Sequence, residues 1–405
     1  MSGPLAGLRV FDLTRILAGP TGTQLLGDLG ADIIKIERPG AGDDTRKWGP
    51  PFVKDKGGMD TSESAYYLAI NRNKRSLSLD VAKPEGQELA KRLIAKCDVF
   101  VENFKVGDMA RYGLGYDQLR HDFPRLIYCS ITGFGQTGPY APRAGYDFLA
   151  QGLGGIMSVT GDPSTPPQKV GVAVTDIVCG IYSVVAILSA LHHRDATGRG
   201  QYCDMSLLDA QVSWLANIGL HYLTSGEVPT RMGNEHPNIV PYSVVPCADG
   251  YFILAIGNDG QFEKFCEFSG VADWARDERF KTNPARVRNR QILYQMINDL
   301  TRQKTQAHWI EGLTRLGVPV GPVNNIDQVF KDPQVLARDM KISMPHPMAG
   351  SGSVDLIGSP IKLSETPVDY RLPPPICGQH TVEILRELLQ MRDDEIADLR
   401  AKQVI

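Results

Sequence analysis

The chain has 405 residues, of which 42% are hydrophobic and 22% are charged, a composition typical of a globular protein with two or three domains. The formal net charge is only −3, so the sequence lacks the basic excess of proteins that bind nucleic acid or anionic membranes. Its seven cysteines occur singly and its eight histidines form no ligand motif, so the sequence indicates neither a disulfide framework nor a metal site.

The start of the chain carries no targeting signal that the sequence pattern can identify. Residues 1–30 contain no basic segment followed by an apolar one. No apolar run approaches the roughly 20 residues that a membrane span needs. We therefore expect a cytoplasmic protein that has neither a membrane nor a nucleic-acid partner.

The first third of the chain alternates between strand-like and helix-like segments. The pattern predicts strands at 8–13, 32–37, 76–81, 99–101 and 126–131. Helices are predicted at 22–30 and 84–97, and Pro84 opens the second at a first-turn position where its missing N–H has no cost. Repeated strand–helix–strand units are typical of a doubly wound parallel sheet, so we predict an α/β fold.

The middle of the chain begins with a loop-rich stretch. Residues 139–175 are rich in Gly and Pro and are predicted to be loop. An apolar helix is predicted from Asp176 to about His193, with Gly198 as the residue that ends it.

Composition changes near residue 225, and this change predicts a second domain. A strand at 251–256 and a helix at 261–268 follow, and much later a Pro-rich connector precedes a final helix at 381–389. We therefore predict a large domain that begins with 1–224, a small domain at 225–325, and a segment at 326–405 that returns to the large domain.

One glycine motif raises the question of a dinucleotide site. Residues 133–138 (GFGQTG) fit GxGxxG after a predicted strand, but Pro139 and Pro142 would break the helix that should hold the pyrophosphate. A Gly-rich turn is the favoured interpretation.

The acid Glu37 closes the first strand–helix–strand unit, and the cation Arg38 beside it suits a nucleotide phosphate.

Asp176 begins a helix that is otherwise apolar. A helix N-cap is the ordinary explanation for an aspartate in such a position. A cap and a nucleophile are compatible, because the helix N-terminus would favour an ionised carboxylate that is ready to attack.

Several longer stretches resemble those of the class III CoA-transferases, a family that also contains the carnitine, formyl and benzylsuccinate CoA-transferases and the α-methylacyl-CoA racemases. The matching stretches are 11–20 (FDLTRILAGP), 26–40 (LGDLGADIIKIERPG), 101–104 (VENF), 130–135 (SITGFG), 145–147 (GYD), 174–176 (VTD) and 317–323 (GVPVGPV). They cover essentially the whole chain in the family's order. The resemblance implies a large Rossmann-like domain with a parallel sheet, a smaller α+β domain, and an interlocked homodimer.

The resemblance also implies roles for particular residues. Asp176 matches the aspartate that attacks an acyl-CoA thioester and forms a covalent aspartyl intermediate. The residues expected to contact CoA are Leu17, Ala18, Arg38, Leu79, Asn103, Phe104, Lys105, Arg111, Arg143, Tyr146, Asp147, Gly257 and Asn258. The CoA thioester is then a substrate, together with a small carboxylic acid, and no permanently bound cofactor or metal is implied.

Within the family, some segments separate this chain from other members. The racemases have a histidine where this chain has Tyr146, so the second base that moves an α-proton is missing. The formyl and oxalyl enzymes carry a run of glycines over the aspartate, whereas residues 233–242 are GNEHPNIVPY. The segments 39–46, 48–53, 239–242, 373–375 and 378–381 instead resemble the succinyl-CoA:glutarate (hydroxymethylglutarate) CoA-transferases.

This subgroup resemblance implies succinyl-CoA as donor and a short dicarboxylic acid as acceptor. The distal carboxylate of such an acid needs a cation or several N–H donors in a dry site, and Arg46 and His236 are the candidates. Three alternatives stay open at this point: a racemase, a nicotinamide-dependent oxidoreductase, and a CoA-binding protein without catalytic activity.

Overall fold

The computed structural model describes residues 3–405, which form two compact units. The first unit contains the residues up to Ile156 together with Val170–Leu220 and Pro333–Ile405. The second contains Met157–Lys169 and His221–Asp332. The domain boundaries expected from composition, near 224 and 325, stay a prediction about folding units.

Residues 3–405 contain thirteen strands. They are β1 Arg9–Leu13, β2 Asp32–Glu37, β3 Phe52–Lys54, β4 Asp60–Ser64, β5 Lys74–Ser78, β6 Val99–Glu102, β7 Ile127–Thr132, β8 Tyr202–Ser206, β9 Tyr242–Cys247, β10 Gly250–Ala255, β11 Val320–Pro322, β12 Lys341–Pro345 and β13 Ser353–Ile357.

Seventeen α-helices lie in the same described part of the chain. They are α1 Ala18–Asp28, α2 Ala65–Leu68, α3 Pro84–Ile94, α4 Asp108–Arg111, α5 Tyr116–Asp122, α6 Asp147–Leu153, α7 Val174–Thr197, α8 Leu207–Ser213, α9 Ala216–Ser225, α10 Asp259–Phe268, α11 Asn283–Arg288, α12 Arg290–Thr301, α13 Gln306–Arg315, α14 Ile326–Val329, α15 Pro333–Ala337, α16 Thr381–Leu389 and α17 Asp393–Ala401.

A parallel sheet of six strands forms the centre of the first unit. Its order is β5-β2-β1-β6-β7-β8, and every neighbouring pair is parallel. Helices cover such sheets on both faces, which is why β6 is buried along its whole length.

The strand order reverses within this sheet. If its strands are numbered in chain order, the order across the sheet is 3-2-1-4-5-6, and the reversal lies between β1 and β6. Ligands of doubly wound sheets bind at the carboxyl ends of the strands at this reversal. The predicted parallel α/β sheet is confirmed.

Most predicted elements of this sheet are present, and the errors have physical causes. The second strand and the last helix, 32–37 and 381–389, have the predicted bounds. The third strand begins at Lys74 rather than at residue 76, because Lys74 is buried with an ionic partner and so interrupts the apolar pattern. The edge strand β8 and the helix α6 were not predicted, since β8 is only half-buried and α6 lies between glycines and prolines.

Helix α7 is the long core helix of this unit. It begins at Val174, two residues before the predicted start, and ends at Thr197, followed by Gly198 in the left-handed conformation with φ 76°. By length and composition α7 could cross a membrane, which corrects the expectation that no apolar run is long enough. However, 61% of its most apolar 18-residue window is buried inside the protein, so we interpret α7 as a core helix.

Two glycines allow α1 and α7 to cross at close range. A Cβ added to Gly22 would lie 2.9 Å from the carbonyl oxygen of Gly180, and one added to Gly180 would lie 2.5 Å from the carbonyl oxygen of Ala18. Gly180 is one helical turn after Asp176, so both residues lie on the same face of α7. The close crossing therefore directs Asp176 toward the first turn of α1.

The second unit has its own core. Strands β11-β10-β9 form an antiparallel sheet, and helices α10, α12 and α13 provide much of its apolar cover. Phe252 of the sheet stacks on Trp309, whose indole N–H donates to the carbonyl oxygen of Thr301 at 2.9 Å. Arg286 is fully buried and pairs with Asp259. A small sheet with helices around it agrees with the expected mixture of α and β structure.

Candidate active site

A cavity opens at the carboxyl ends of β1 and β6, where the strand order reverses. Its walls come from the loops after these strands, from the segment before α6, and from the start of α7. Among the residues predicted to contact CoA or to react, it brings together Leu17, Ala18, Asn103, Phe104, Lys105, Arg143, Tyr146 and Asp176. The position agrees with the rule for ligand sites in doubly wound sheets.

The side chain of Asn103 ties the two strand ends together. Its Oδ1 accepts a hydrogen bond from the Arg15 backbone N–H at 3.0 Å, and its Nδ2 donates to the Arg15 carbonyl oxygen at 2.7 Å. The Arg15 guanidinium lies 5.3 Å from the ring centroid of Phe104 and pairs with Asp44. Sequence reasoning missed Arg15, although its place directly after the first strand of the sheet was a usable signal.

A second cavity adjoins the first and contains more of the predicted CoA residues. It is lined by Arg38 and Leu79, and it shares Arg15 and Phe104 with the first cavity. Arg38 follows β2, is largely exposed, and has its Nη2 3.2 Å from Asp44. Four cationic side chains, those of Arg15, Arg38, Lys105 and Arg143, therefore line the two cavities, a pattern that suits a ligand with several phosphates.

A close approach of two glycines shapes the wall beside Asp176. A Cβ on Gly133 would lie 2.5 Å from the Cα of Gly145, so both positions require glycine. The loop between them closes on itself and leads directly into Tyr146 and Asp147 at the start of α6. This geometry accounts for the GxGxxG motif at 133–138, since α6 begins only at Asp147 and no pyrophosphate-binding helix follows the motif.

Asp147 caps α7 from the neighbouring helix. Its Oδ1 accepts hydrogen bonds from the backbone N–H groups of Thr175 at 2.9 Å and Asp176 at 3.4 Å, and its Oδ2 accepts from Gln151 at 2.8 Å. The formal N-cap residue, Ala173, has no side chain for this task. Asp176 is thus the third residue of α7 and not its N-cap, and its carboxylate is free for chemistry.

The environment of Asp176 favours its protonated form. Its side chain is 8% exposed, and within residues 3–405 no group donates a hydrogen bond to its carboxylate. Burial, and then the nearby Asp147 carboxylate, raises its pKa to about 7. The helix N-terminus favours the ionised carboxylate, as expected, but burial opposes it and brings the pKa of Asp176 close to neutral pH.

Tyr66 is a further polar group near Asp176 that sequence reasoning missed. Burial, followed by the charges of Asp176 and Asp147, raises the pKa of its phenol to about 12. The hydroxyl is protonated at neutral pH and can act as a hydrogen-bond donor. Trp48 packs edge-on against the ring, with 5.2 Å between the centroids. No pattern in the sequence points to Tyr66, because α2 spans only four residues.

Arg46 does not have the position expected of a substrate ligand. Its guanidinium is buried and donates to both oxygens of Glu37, both oxygens of Glu63, and the carbonyl oxygen of Pro375. It also lies 3.6 Å from the ring centroid of Tyr67. These contacts occupy its donors, so Arg46 is a structural residue, and we do not retain it as a partner for the substrate carboxylate.

The remaining predicted residues lie outside the two cavities or in the second unit. Arg111 is exposed and pairs with Asp108 on α4. In the second unit, the Nδ1 of His236 accepts from the backbone N–H of Asn238 at 3.1 Å. Gly257 N–H donates to the side chain of Gln261, and Asn258 is the N-cap of α10. These contacts are local, so the substrate role of His236 and the CoA roles of Arg111, Gly257 and Asn258 stay predictions.

The geometry is that of a buried carboxylate in a cavity that three cationic side chains also line, and comparison with known proteins agrees with it. Residues 5–381 match the profile described as CoA-transferase family III. The chain belongs to CoA-transferase family III. Together with the similar CoA-transferases described next, this membership makes it a CoA-transferase, and it removes support from the oxidoreductase alternative.

Similar proteins of this family cover nearly all of the chain. A succinate–glutarate CoA-transferase from Agrobacterium fabrum is 50% identical over 95% of this chain and 96% of its own length. A human succinyl-CoA:glutarate CoA-transferase is 42% identical over 99% of this chain and 90% of its own length. The crystal structure of a CAIB/BAIF family protein from Brucella suis, 50% identical, superposes with a TM-score of 0.85 and covers 96% of this chain and 100% of that chain.

The raised pKa of Asp176 predicts a pH-dependent stability. Its carboxyl has a pKa of about 7 in the folded state and an ordinary value of 3.8. The folded state therefore binds more protons than the unfolded chain between these values, so stability falls as the pH rises through this interval. Asp176→Asn cannot ionise and so avoids this loss. We therefore expect the free energy of unfolding of the variant, relative to that of the wild type, to increase from about pH 4 to about pH 8.

Urea denaturation at a series of pH values measures this difference. Asp195→Asn is the matched control, because Asp195 lies near the other end of α7 with a largely exposed side chain. Its stability relative to the wild type should change little with pH. A constant difference between Asp176→Asn and the wild type across this range would show that Asp176 titrates at its ordinary pKa.

Proposed function

We propose that this family III enzyme transfers CoA from succinyl-CoA to glutarate or to a similar dicarboxylic acid such as 3-hydroxy-3-methylglutarate. The observation that carries the proposal is the buried carboxylate of Asp176, which shares a cavity with Arg15, Lys105 and Arg143. The choice of acids is supported by the succinate–glutarate enzyme that is half identical to this chain.

In the proposed reaction, the ionised Asp176 carboxylate attacks the thioester carbonyl of succinyl-CoA. The C–S bond breaks and gives a succinyl–aspartyl anhydride and the CoA thiolate. The thiolate attacks the aspartyl carbonyl, releases succinate, and leaves CoA on Asp176 as a thioester. Glutarate then repeats these steps in reverse, and glutaryl-CoA leaves while the carboxylate is restored. Each step exchanges one activated acyl group for another, so the reaction needs no ATP.

The residues around Asp176 suggest how the protein supports these steps. Asp147 holds the first turn of α7 and so fixes the direction of the nucleophile. The charge of Asp176 acts on the phenol of Tyr66, so we assign this protonated group a supporting electrostatic role near the nucleophile. Arg15 and Arg38 are assigned to the phosphates of CoA, since they line the cavities at the ends of β1 and β2.

Arg143 is the best candidate for the distal carboxylate of the acid, now that Arg46 is assigned to the core. Its guanidinium stacks on Tyr140 at 4.5 Å and on Phe134 at 5.3 Å from the ring centroids. Within residues 3–405 it forms no ion pair, although it lines the same cavity as Asp176. Stacking fixes the plane of the guanidinium and leaves its N–H groups available to a carboxylate.

We expect Asp176→Ala to abolish transfer while the protein remains folded, because Asp147 still caps α7. Residual activity should be below about a thousandth of the wild type. Wild-type protein incubated with succinyl-CoA should carry an adduct at Asp176 that hydroxylamine traps and mass spectrometry locates. Asp195→Ala on the same helix serves as the control and should keep full activity. Transfer by Asp176→Ala at near wild-type rates would contradict covalent catalysis.

With succinyl-CoA as donor, we expect the wild type to convert glutarate faster than the monocarboxylate valerate, which has the length of glutarate. Arg143→Met should raise the KM of glutarate about tenfold or more and leave that of valerate within about twofold, since the lost ion pair concerns only the distal carboxylate. Arg120→Met, at an exposed arginine paired with Asp117, is the matched control. A faster reaction with valerate than with glutarate would refute the proposed acids and leave CoA transfer intact.

We further propose that two chains form the interlocked homodimer that the family resemblance implies. A single chain exposes large apolar side chains on three helices around the site: Phe148, Leu149 and Leu153 on α6, Ile181, Tyr182 and Val185 on α7, and Val212 on α8. Exposed apolar surface of this kind is typical of subunit interfaces.

A cytoplasmic location is part of the proposal, because the seven free cysteines suit a reducing compartment.

Sedimentation velocity should show a dimer at micromolar and at nanomolar concentration, because interlocked chains cannot separate without unfolding. The dilution series contains its own control, since an ordinary weak dimer would dissociate along it. A monomer at nanomolar concentration would contradict the interlocked architecture, and it would not affect the proposed chemistry.

A further inference from the structure

The loop that follows β1 contains a backbone conformation that its sequence does not favour. Ile16 has φ 70°, in the left-handed region. Five other non-glycine residues of the described chain have positive φ, namely Asn73, Ala216, Asp339, Gln390 and Gln403. Ile16 differs from all five because it is β-branched, and a β-branched residue is strained in this region. Such strain persists only where the surrounding structure enforces it.

The strained residue lies in the wall of the candidate active site. Ile16 lines the same cavity as Asp176, between Arg15 and Leu17. Leu17 is the N-cap residue of α1, so the conformation of Ile16 decides how the chain enters that helix. A change at Ile16 would therefore move the part of the wall where the family resemblance places CoA.

Two buried charged residues form hydrogen bonds with the backbone of this loop. The Lys35 ammonium donates to the Thr14 carbonyl oxygen at 3.0 Å and to Oδ2 of Asp43 at 2.9 Å. The other oxygen of Asp43, Oδ1, accepts from the backbone N–H of Ile16 at 3.3 Å. Lys35 and Asp43 together, here called the loop clamp, thus contact the backbone on both sides of Arg15.

The loop clamp is an ion pair that water does not reach. Neither side chain is more than 1% exposed. Burial alone would raise the pKa of Asp43, but the charge of Lys35 and hydrogen bonds from Lys35 and Thr45 lower it to about 2. The pair is therefore ionised throughout the physiological pH range, and it gives the loop a rigid support.

We propose that the loop clamp is a positioning device that holds Thr14–Ile16 in the strained conformation required for binding the CoA thioester. The proposal rests on the proposed function only in that the cavity binds CoA. Asp43 borders the second cavity with only 1% of its side chain exposed, and Lys35 is fully buried. We assign both residues to the backbone of the loop, Lys35 at Thr14 and Asp43 at Ile16. Asp43 also accepts hydrogen bonds from Thr45, so a purely structural role is the alternative that the experiment must separate.

The test compares CoA binding by Asp43→Asn with that of the wild type, using calorimetry with CoA itself and no acid. Asp43→Asn keeps the shape of the side chain and removes its charge. We expect the Kd of CoA and the KM of succinyl-CoA to rise about tenfold, equivalent to ~1.4 kcal/mol. The kcat at saturating succinyl-CoA should stay within about twofold, because Asp176 does not move.

Rescue by glycine distinguishes positioning from general destabilisation. Glycine adopts φ 70° without strain, whereas alanine does not. Asp43→Asn combined with Ile16→Gly should therefore recover most of the lost CoA affinity, and Asp43→Asn combined with Ile16→Ala should not. Equal recovery with glycine and alanine, or none with glycine, would overturn the proposal.

Asp28→Asn is the matched control, since it breaks another buried ion pair in the same unit, with Arg72 at 2.6 Å. It should lower the melting temperature without changing the Kd of CoA. A similar loss of CoA affinity in Asp28→Asn and Asp43→Asn would show that the loop clamp contributes only to the stability of the fold, and it would overturn the positioning role.

A further comparison remains decisive if Asp43→Asn does not fold. In the wild-type background, Ile16→Gly should be more stable than Ile16→Ala, the reverse of the usual order. An Ile16→Ala variant at least as stable as Ile16→Gly would show that the loop is unstrained and would refute the proposal.

A wild type that binds CoA but transfers nothing to glutarate would refute the proposed acids and would not affect the loop clamp.

Discussion

The first unit depends on the pairing of charges that are buried within its parallel sheet. Helices cover both faces of such a sheet, so a charged side chain inside it cannot reach water. Three adjacent strands nevertheless carry buried charges, and each finds an opposite charge within 3.3 Å: Asp12 with Lys74, Lys35 with Asp43, and Glu37 with Arg46. An unpaired buried charge costs several kcal/mol, so these pairs fix both the strand register and the loops that carry Asp43 and Arg46.

The position of Asp176 in the cavity follows from two further constraints on α7. Close packing of Gly22 against Gly180 brings the helix to the first turn of α1, and the Asp147 carboxylate caps its first turn. Together they hold Asp176 in a buried position beside a second carboxylate, and the same arrangement raises the pKa of Asp176. In the proposed reaction, the nucleophile forms an anhydride away from water, so burial protects the intermediate but lowers the ionised fraction of the carboxylate.

The sequence by itself determined the class of fold and singled out the residue that we propose reacts. Strand 32–37 and helix 381–389 have the predicted bounds, because the first is a short isoleucine-rich run between charged residues and the second is amphipathic. Motifs such as 101–104 and 174–176 were enough to indicate the CoA-transferase family and to single out Asp176. These signals are local, and they depend only on residues that are neighbours in the chain.

The tertiary structure decided what the charged residues do. Arg46 resembled a substrate ligand in sequence, yet its guanidinium contacts Glu37, Glu63 and the carbonyl oxygen of Pro375, which is 329 residues away. The cap that Asp147 supplies to α7 and the support that Lys35 gives to the loop after β1 also join distant segments. A local pattern assigns a charged residue to the surface, and only the folded chain shows which charges are buried against a partner, because the pairing energy depends on distance in space and not on separation along the chain.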